Sequence, residues 1–196
     1  LFNALESIRM KAHLKGDKEI SQTVKLLGKL MRKSIEISGE KIPLKAEIEM
    51  VRCYLEIQKF RYEHRLNYGL NIDPLTDDVP IYPLLIQPLV ENAVIHGLEE
   101  KEEGGRVNVT TTLEGQKVHI VIVDNGKGMS EEKRKEIEST LRESGHVKEE
   151  HSIGMRNVHQ RLQLSYGKQY GLTIESTPDI GTRIHFSIPI GGERLV

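Results

Sequence analysis

Residues 118–129 read Val118-His119-Ile120-Val121-Ile122-Val123-Asp124-Asn125-Gly126-Lys127-Gly128-Met129, an apolar run that ends in a carboxylate and two closely spaced glycines. The alternation predicts a strand covered on both faces, with Val118, Ile120 and Ile122 on one of them. Asp124 then lies where the strand ends, and the glycines allow backbone to approach a ligand closely. Asp-Asn-Gly is also a common turn sequence, so the stretch alone leaves a binding loop and an ordinary turn open.

The composition excludes several classes of protein. The chain of 196 residues carries 28 basic and 29 acidic residues, a balance that indicates no nucleic acid partner. Cys53 is the only cysteine, which excludes a disulfide within the chain and favours a reducing compartment. No apolar run approaches the roughly 20 residues that cross a bilayer, so we expect a cytoplasmic chain without direct membrane contact.

The periodicity divides the chain into two parts. Residues 1–40 predict a helical hairpin, because apolar residues recur at helical spacing on both sides of a Gly-Asp turn. Its apolar face is wider than one partner helix covers, which leaves open a four-helix bundle of two chains or packing within one chain. Residues 41–196 alternate helices and strands, and a connecting helix over residues 41–62 opens this part with Ile48, Val51, Leu55 and Phe60 inward.

A second informative segment reads Leu84-Leu85-Ile86-Gln87-Pro88-Leu89-Val90-Glu91-Asn92-Ala93-Val94-Ile95-His96-Gly97. On a helical wheel its apolar residues form two adjoining strips that face the sheet. Asn92 and His96 lie one turn apart at the edge of this face and can point into one cleft. The alternative is a buried amide satisfied by backbone and a histidine favoured by the helix dipole.

The remaining patterns predict two hairpins and two more helices. Alternating residues predict strands on either side of residues 114–116 and of the turn before Gly181-Thr182. The charged stretch 130–151, with Ser130 as a cap, is either a mobile lid or a solvated surface helix. Ile153-Gly154-Met155-Arg156 follow it and open a helix, whose free backbone amides would suit a phosphate.

Four ordered motifs resemble the ATPase superfamily of gyrase, Hsp90, histidine kinases and MutL. They are Glu91-Asn92-Ala93 with His96, Asp124-Asn125-Gly126-Lys127-Gly128, Ile153-Gly154-Met155, and Gly181-Thr182. Residues 54–62 and 87–97 look like those of LytS/YesM-type sensor histidine kinases, and this resemblance covers essentially the whole chain. It implies an α+β fold, in which a two-layer α/β sandwich of the Bergerat ATP-binding type follows the N-terminal helical hairpin.

The resemblance also implies roles for individual residues. Asn92 would be a ligand of Mg²⁺, which prefers oxygen ligands and keeps several waters. Asp124 would accept a hydrogen bond from the exocyclic amine of adenine. Glu91 resembles the acid that assists the acceptor histidine as a base, the alternative being a plain solvated carboxylate. The full set of residues implied to contact ATP is Asn92, His96, Asp124, Gly126, Lys127, Gly128, Met129, Gly154, Met155, Arg156 and Thr182, and Glu91 and His96 are those implied in catalysis.

The implied activity is phosphoryl transfer from Mg-ATP to a histidine, with relay to the receiver domain of a response regulator. Leu1-Phe2-Asn3 matches the end of the family motif Pro-His-Phe-Leu-Phe-Asn, so the acceptor histidine would lie just before Leu1. We therefore expect residues 1–40 to be a dimerisation and phosphotransfer hairpin truncated before that histidine, in a chain that binds ATP without autophosphorylation. A homodimer and a membrane-anchored parent protein are further implications.

Two departures from the superfamily motifs qualify this interpretation. The hydrolytic branch places a water-activating Glu one turn before the metal-binding Asn, and here that position is Pro88, which argues against ATP hydrolysis. Ser152 replaces the first glycine of the phosphate loop. Two alternative functions also remain: an anti-sigma-type serine kinase with the same motifs, and a non-catalytic, nucleotide-responsive dimeric binding module.

Overall fold

A computed structural model describes residues 1–35, 39–98, 101, 103–142 and 150–191. Its helices are α1 (Phe2–Leu14), α2 (Lys18–Ile35), α3 (Leu44–Tyr62), α4 (Gln87–Asn92), α5 (Glu131–Arg142) and α6 (Glu150–Tyr166). Its strands are β1 (Ile42–Pro43), β2 (Leu66–Ile72), β3 (Pro80–Ile81), β4 (Gly105–Glu114), β5 (Lys117–Asp124), β6 (Thr173–Thr177) and β7 (Gly181–Pro189). The predicted α+β fold class, with helices packed on a sheet after an N-terminal hairpin, is confirmed.

The helices α1 and α2 form the N-terminal hairpin. Gly16 takes a φ of 76° at the turn, and the Asp17 carboxylate accepts a hydrogen bond from the Ile20 amide at 3.0 Å, which caps α2. Much of the predicted apolar face is exposed, since Ile8 is 50% and Ile35 67% accessible. Along its other side α2 packs on α3, where Lys29 Nζ lies 2.5 Å from Glu49 Oε1.

None of the helices in the described part of the chain has the length and the apolar composition that a membrane span requires.

Five strands form the main sheet in the order β2-β4-β5-β7-β6. The pair β2–β4 is parallel, because the chain crosses over through α4, and the other pairs are antiparallel. Val118, Ile120 and Ile122 are at most 1% exposed on the face that joins the helices in one apolar core. Val121 and Val123 on the opposite face are only partly buried, so the expectation that β5 is covered on both faces is wrong.

Two details of the helices differ from the sequence expectations. Phe60 is 39% exposed rather than inward, whereas Ile48, Val51 and Leu55 are buried as predicted. The charged stretch after Ser130 forms α5, which buries Ile137 and packs on α6 and β6. Ser130 Oγ accepts a hydrogen bond from the Lys133 amide at 3.3 Å, as expected of a helix cap. Residues 143–149 of that stretch lie outside the described residues.

A buried carboxylate on α3 determines where α4 begins. Glu47 is fully buried, and its side chain accepts hydrogen bonds from the backbone amides of Leu84 at 2.9 Å, Ile86 at 3.0 Å and Gln87 at 3.3 Å. Burial raises the pKa of Glu47, and these hydrogen bonds lower it. Leu84 adopts a φ of 61°, which no α-helix accommodates, so α4 begins at Gln87 and not at Leu84 as predicted.

Replacement of Glu47 tests this interaction. Glu47→Gln substitutes an amide group for one acceptor oxygen, so a buried backbone N–H loses its partner and faces a donor. We expect the free energy of unfolding in urea to fall by on the order of 1–3 kcal/mol.

The matched control is Glu49→Gln, two residues away on the same helix, where the carboxylate makes a surface ion pair. This variant should lose less than about 1 kcal/mol. Equal losses in the two variants would contradict the capping role of Glu47.

Candidate functional site

A cavity of about 380 Å³ opens between α4, the loop after β5, α5 and the start of β7. Eight of the residues singled out from the sequence line it: Asn92, His96, Asp124, Lys127, Gly128, Met129, Met155 and Thr182. These residues come from four segments that are far apart in sequence, so the fold brings them together. Glu91, Gly126, Gly154 and Arg156 are not among the lining residues.

Asp124 lies at the wall of this cavity and is only 7% exposed. Its Oδ1 accepts hydrogen bonds from the backbone amides of Gly126 at 2.8 Å and Thr182 at 3.3 Å. Burial raises the pKa of Asp124, while these two hydrogen bonds and the charge of Lys101 lower it. The arrangement fixes one carboxylate oxygen with protein donors and directs a buried acceptor toward the cavity.

The end of the helix that carries Asn92 and His96 is held against the loop after β5. Residues Ala93–Gly97 form a π-helical turn, a widened geometry that is frequent at functional sites. The Lys127 amide donates to the Gly97 carbonyl at 3.0 Å. A Cβ on Gly126 would lie 1.9 Å from that carbonyl oxygen, and one on Gly97 would lie 2.8 Å from Asp124 Oδ1. Only glycines therefore permit this approach, which explains why Gly126 supports the cavity without lining it.

Asn92 and His96 line the same cavity, which is the arrangement that one of the two interpretations of their spacing allowed. Asn92 Nδ2 is buried and makes no hydrogen bond with the residues that the structure describes. The amide can therefore turn its oxygen toward a ligand without losing a protein partner on that side. Gly154 faces this amide, because a Cβ added to it would lie 3.5 Å from Asn92 Nδ2.

The helix α6 begins earlier than the sequence analysis expected. It begins at Glu150, so the amides of Gly154, Met155 and Arg156 fall after its first turn instead of at its free N-terminus. The expectation that Gly154 stands at a helix start with free amides is therefore wrong for this conformation. Met155 is 6% exposed and lines the cavity, and the side chain of Ser152 lies outside the described part.

Glu91 lies outside the cavity, on the adjoining face of α4. Its Oε1 accepts a hydrogen bond from Gln87 Nε2 at 2.8 Å, one helical turn earlier. The residue is partly exposed, so the carboxylate remains accessible to an incoming group. Glu91 and Asn92 are therefore neighbours in sequence but lie on two different faces of one helix, and only Asn92 faces the cavity.

Sequence reasoning missed several residues that build the site. Lys133 and Ile137 on α5 complete the cavity wall. The sequence analysis did not identify Glu47, although the sequence contains an indication of its role. Glu47 lies between Leu44 and Val51 at the spacing of buried helix residues, and a carboxylate at such a position requires buried hydrogen-bond donors.

Comparison with known families and proteins agrees with these features. The family described as histidine kinase matches residues 1–66, and the family described as histidine kinase-, DNA gyrase B- and HSP90-like ATPase matches residues 80–192. The sensor histidine kinase YesM of Bacillus subtilis is 36% identical over 98% of this chain and 32% of its own length. The sensor histidine kinase BtsS of Escherichia coli K12 is 34% identical over 96% of this chain and 31% of its own length. The chain thus spans about a third of the length of these curated relatives.

Solved structures share the fold at low sequence identity. The histidine kinase domain of the Erythrobacter litoralis blue-light activated histidine kinase has a TM-score of 0.56 at 18% identity, covering 96% of this chain and 83% of that chain. The histidine kinase ThkA in complex with the response regulator protein TrrA has a TM-score of 0.55 at 19% identity, covering 90% of this chain and 51% of that chain. The chain belongs to the histidine kinase-, DNA gyrase B- and HSP90-like ATPase family, and over nearly its whole length it is similar to sensor histidine kinases of the LytS/YesM type.

Proposed function

We propose that the chain binds Mg-ATP in the cavity beside α4 and catalyses transfer of the γ-phosphoryl group to a histidine of the intact kinase. The observation that carries this proposal is the buried Asp124 carboxylate, one oxygen of which is held by two backbone amides while the side chain lines the cavity. The remaining acceptor capacity of this carboxylate is available to a donor group of a ligand in the cavity. The exocyclic amine of adenine supplies one, and guanine has a carbonyl oxygen in that place.

Other residues that line the cavity suit the phosphates. His96, Lys127 and Lys133 line it and supply positive or hydrogen-bonding groups, and Arg156 lies near Gly154 on α6. Among the described residues no group of three His, Cys, Asp or Glu side chains could hold a metal ion. Asn92 fits Mg²⁺, a cation that is commonly held by one or two protein oxygens together with phosphate oxygens and waters. When bound, Mg²⁺ neutralises charge on the transferring phosphate.

In the proposed transfer, one imidazole nitrogen of the acceptor histidine forms a bond to the γ-phosphorus. The bond from that phosphorus to the β–γ bridging oxygen breaks, and its electron pair leaves with ADP. The proton on the other ring nitrogen passes to Glu91, which is partly exposed and precedes Asn92 on α4. Pro88 occupies the position where a water-activating carboxylate would be needed for hydrolysis, so the proposal favours transfer to a side chain over transfer to water.

The hairpin supports a role in assembly. Leu1, Ile8, Leu14 and Ile35 are 74%, 50%, 79% and 67% exposed, an apolar surface that a four-helix bundle with a second copy would cover. We therefore propose a homodimer, in which the phosphohistidine then donates its phosphoryl group to an aspartate of a response regulator receiver domain. The complex of ThkA with the response regulator TrrA shares this fold and is consistent with that partner.

The first prediction from the proposed function concerns adenine selectivity. Calorimetric titration should show saturable binding of ATP and no comparable binding of GTP, and Asp124→Asn should weaken ATP binding by about 1.5–3 kcal/mol, the range for loss of a charged hydrogen bond. Unchanged affinity in the variant would remove Asp124 from the site. Absence of binding by either nucleotide would favour a retained scaffold with no nucleotide function.

The second prediction concerns pH. Asp124 accepts the hydrogen bond from adenine in its deprotonated form, and burial raises its pKa. As the pH is lowered, ATP affinity should therefore begin to fall at a higher pH than it would with an ordinary aspartate. Titration of the nucleotide phosphates contributes equally to wild type and Asp124→Asn. The difference between their pH profiles therefore reports Asp124, and parallel profiles would contradict this assignment.

The third prediction concerns the transferred phosphate. A protein extended at its N-terminus by the expected histidine-containing motif should acquire acid-labile phosphate from ATP, and Glu91→Gln should slow this reaction by about 10²-fold or more while ATP still binds. Acid-stable phosphate would indicate a serine kinase instead. An unchanged rate in Glu91→Gln would exclude Glu91 as the base.

A further inference from the structure

Gln87 links two carboxylates at the beginning of α4. Its backbone amide donates to Glu47 Oε1 at 3.3 Å, and its side-chain Nε2 donates to Glu91 Oε1 at 2.8 Å. Gln87 is only 7% exposed, although it is a polar residue in the first turn of a helix. Both ends of Gln87 are therefore fixed, one by the buried carboxylate of α3 and the other by the partly exposed carboxylate of α4.

The surroundings of Gln87 also bring α3 close to Glu91. Tyr54 on α3 is 7% exposed, and its hydroxyl is buried without a partner among the described residues. Burial raises the pKa of Tyr54, and the negative charge of Glu91 raises it further. The helix α3, which carries Tyr54, packs on α4, which carries Glu91.

The orientation of the Gln87 amide follows from this arrangement. Its nitrogen points at Glu91, because the reverse orientation would place an amide oxygen against a carboxylate oxygen. Gln87 Oε1 is buried and makes no hydrogen bond to the part of the chain that the structure describes. The hydrogen bond to Glu91 is thus the one polar contact of this side chain within the described residues, and it is the contact that justifies a buried glutamine at this position.

We propose that Gln87 is a positioning residue that orients the Glu91 carboxylate toward the incoming acceptor histidine. This inference rests on the proposed function, in which Glu91 accepts the imidazole proton while phosphorus–nitrogen bond formation proceeds and ADP leaves. A glutamate on a helix surface samples several rotamers, and only some of them place an oxygen where the imidazole proton arrives. A buried donor that holds Oε1 restricts those rotamers before the histidine approaches, and the second oxygen, Oε2, can still accept a proton.

The test is Gln87→Met in the N-terminally extended kinase, assayed for acid-labile phosphate formation over a range of ATP concentrations. Methionine keeps the length of the side chain and removes the donor. Because Gln87 is not among the cavity-lining residues, we expect kcat to fall by about 10- to 100-fold while the KM for ATP stays within about twofold. A merely structural role would change kcat and KM together, and that result would overturn the proposal.

The matched control is Gln163→Met on α6, which makes the same chemical change. Gln163 also donates one side-chain hydrogen bond, from Nε2 to the Lys168 carbonyl at 3.4 Å, far along the chain from Glu91. This variant should retain the kcat of the wild type. An equal loss in both variants would overturn the assignment of a specific role to Gln87.

A double-mutant cycle with Glu91→Gln separates this inference from the function on which it rests. If Gln87 acts through Glu91, Gln87→Met should slow the wild type but have little further effect in the Glu91→Gln background. Additive losses would show that Gln87 acts by another route and would overturn the proposal alone. A Glu91→Gln single variant with wild-type kcat would overturn the base assignment itself, and the proposal for Gln87 with it.

Discussion

The arrangement of the candidate site depends on the buried carboxylate of Glu47. A carboxylate removed from water destabilises the fold by several kcal/mol unless donors surround it, and the backbone amides that precede α4 provide those donors. The hydrogen bonds that Glu47 accepts therefore fix the position and the direction in which α4 begins. Since α4 carries Glu91, Asn92 and His96, a single interaction between α3 and the chain 37–40 residues later sets the geometry of both surfaces of the site helix.

Local patterns identified most of the elements, because the forces that create them act over a few residues. Period-two alternation located β5, and the helical wheel of residues 84–97 assigned Leu85, Leu89, Val90 and Val94 to the core, where each is at most 1% exposed. The errors arose where distant residues decide the outcome. The local sequence predicts that Leu84 belongs to a helix, and only its contact with the distant Glu47 explains why it does not. The spacing around Phe60 likewise predicts a buried side chain, although no other element covers this side chain fully.

The site shows the same division between local and long-range information. The motifs identified the residues that meet in the cavity, and the resemblance to a family gave them roles that remain proposals. Neither source predicted that Gly97 and Gly126 let two backbone segments touch, or that α6 already begins at Glu150. Contacts between backbone segments leave little trace in side-chain periodicity, since a glycine is compatible with many local structures. Gln87 was overlooked for a related reason, because its partners belong to two different helices.

The hydrogen bond between Asp124 and the Thr182 amide also has a consequence for synthesis of the protein. These residues are 58 positions apart, and β5 becomes an interior strand only after β7 has paired with it. The hairpin α1–α2, by contrast, is stabilised by contacts between near neighbours and can form as soon as it leaves the ribosome. In a nascent chain the exposed helical hairpin can thus form before the cavity beside α4 is complete, because all residues of the hairpin precede β5 and β7 in the sequence.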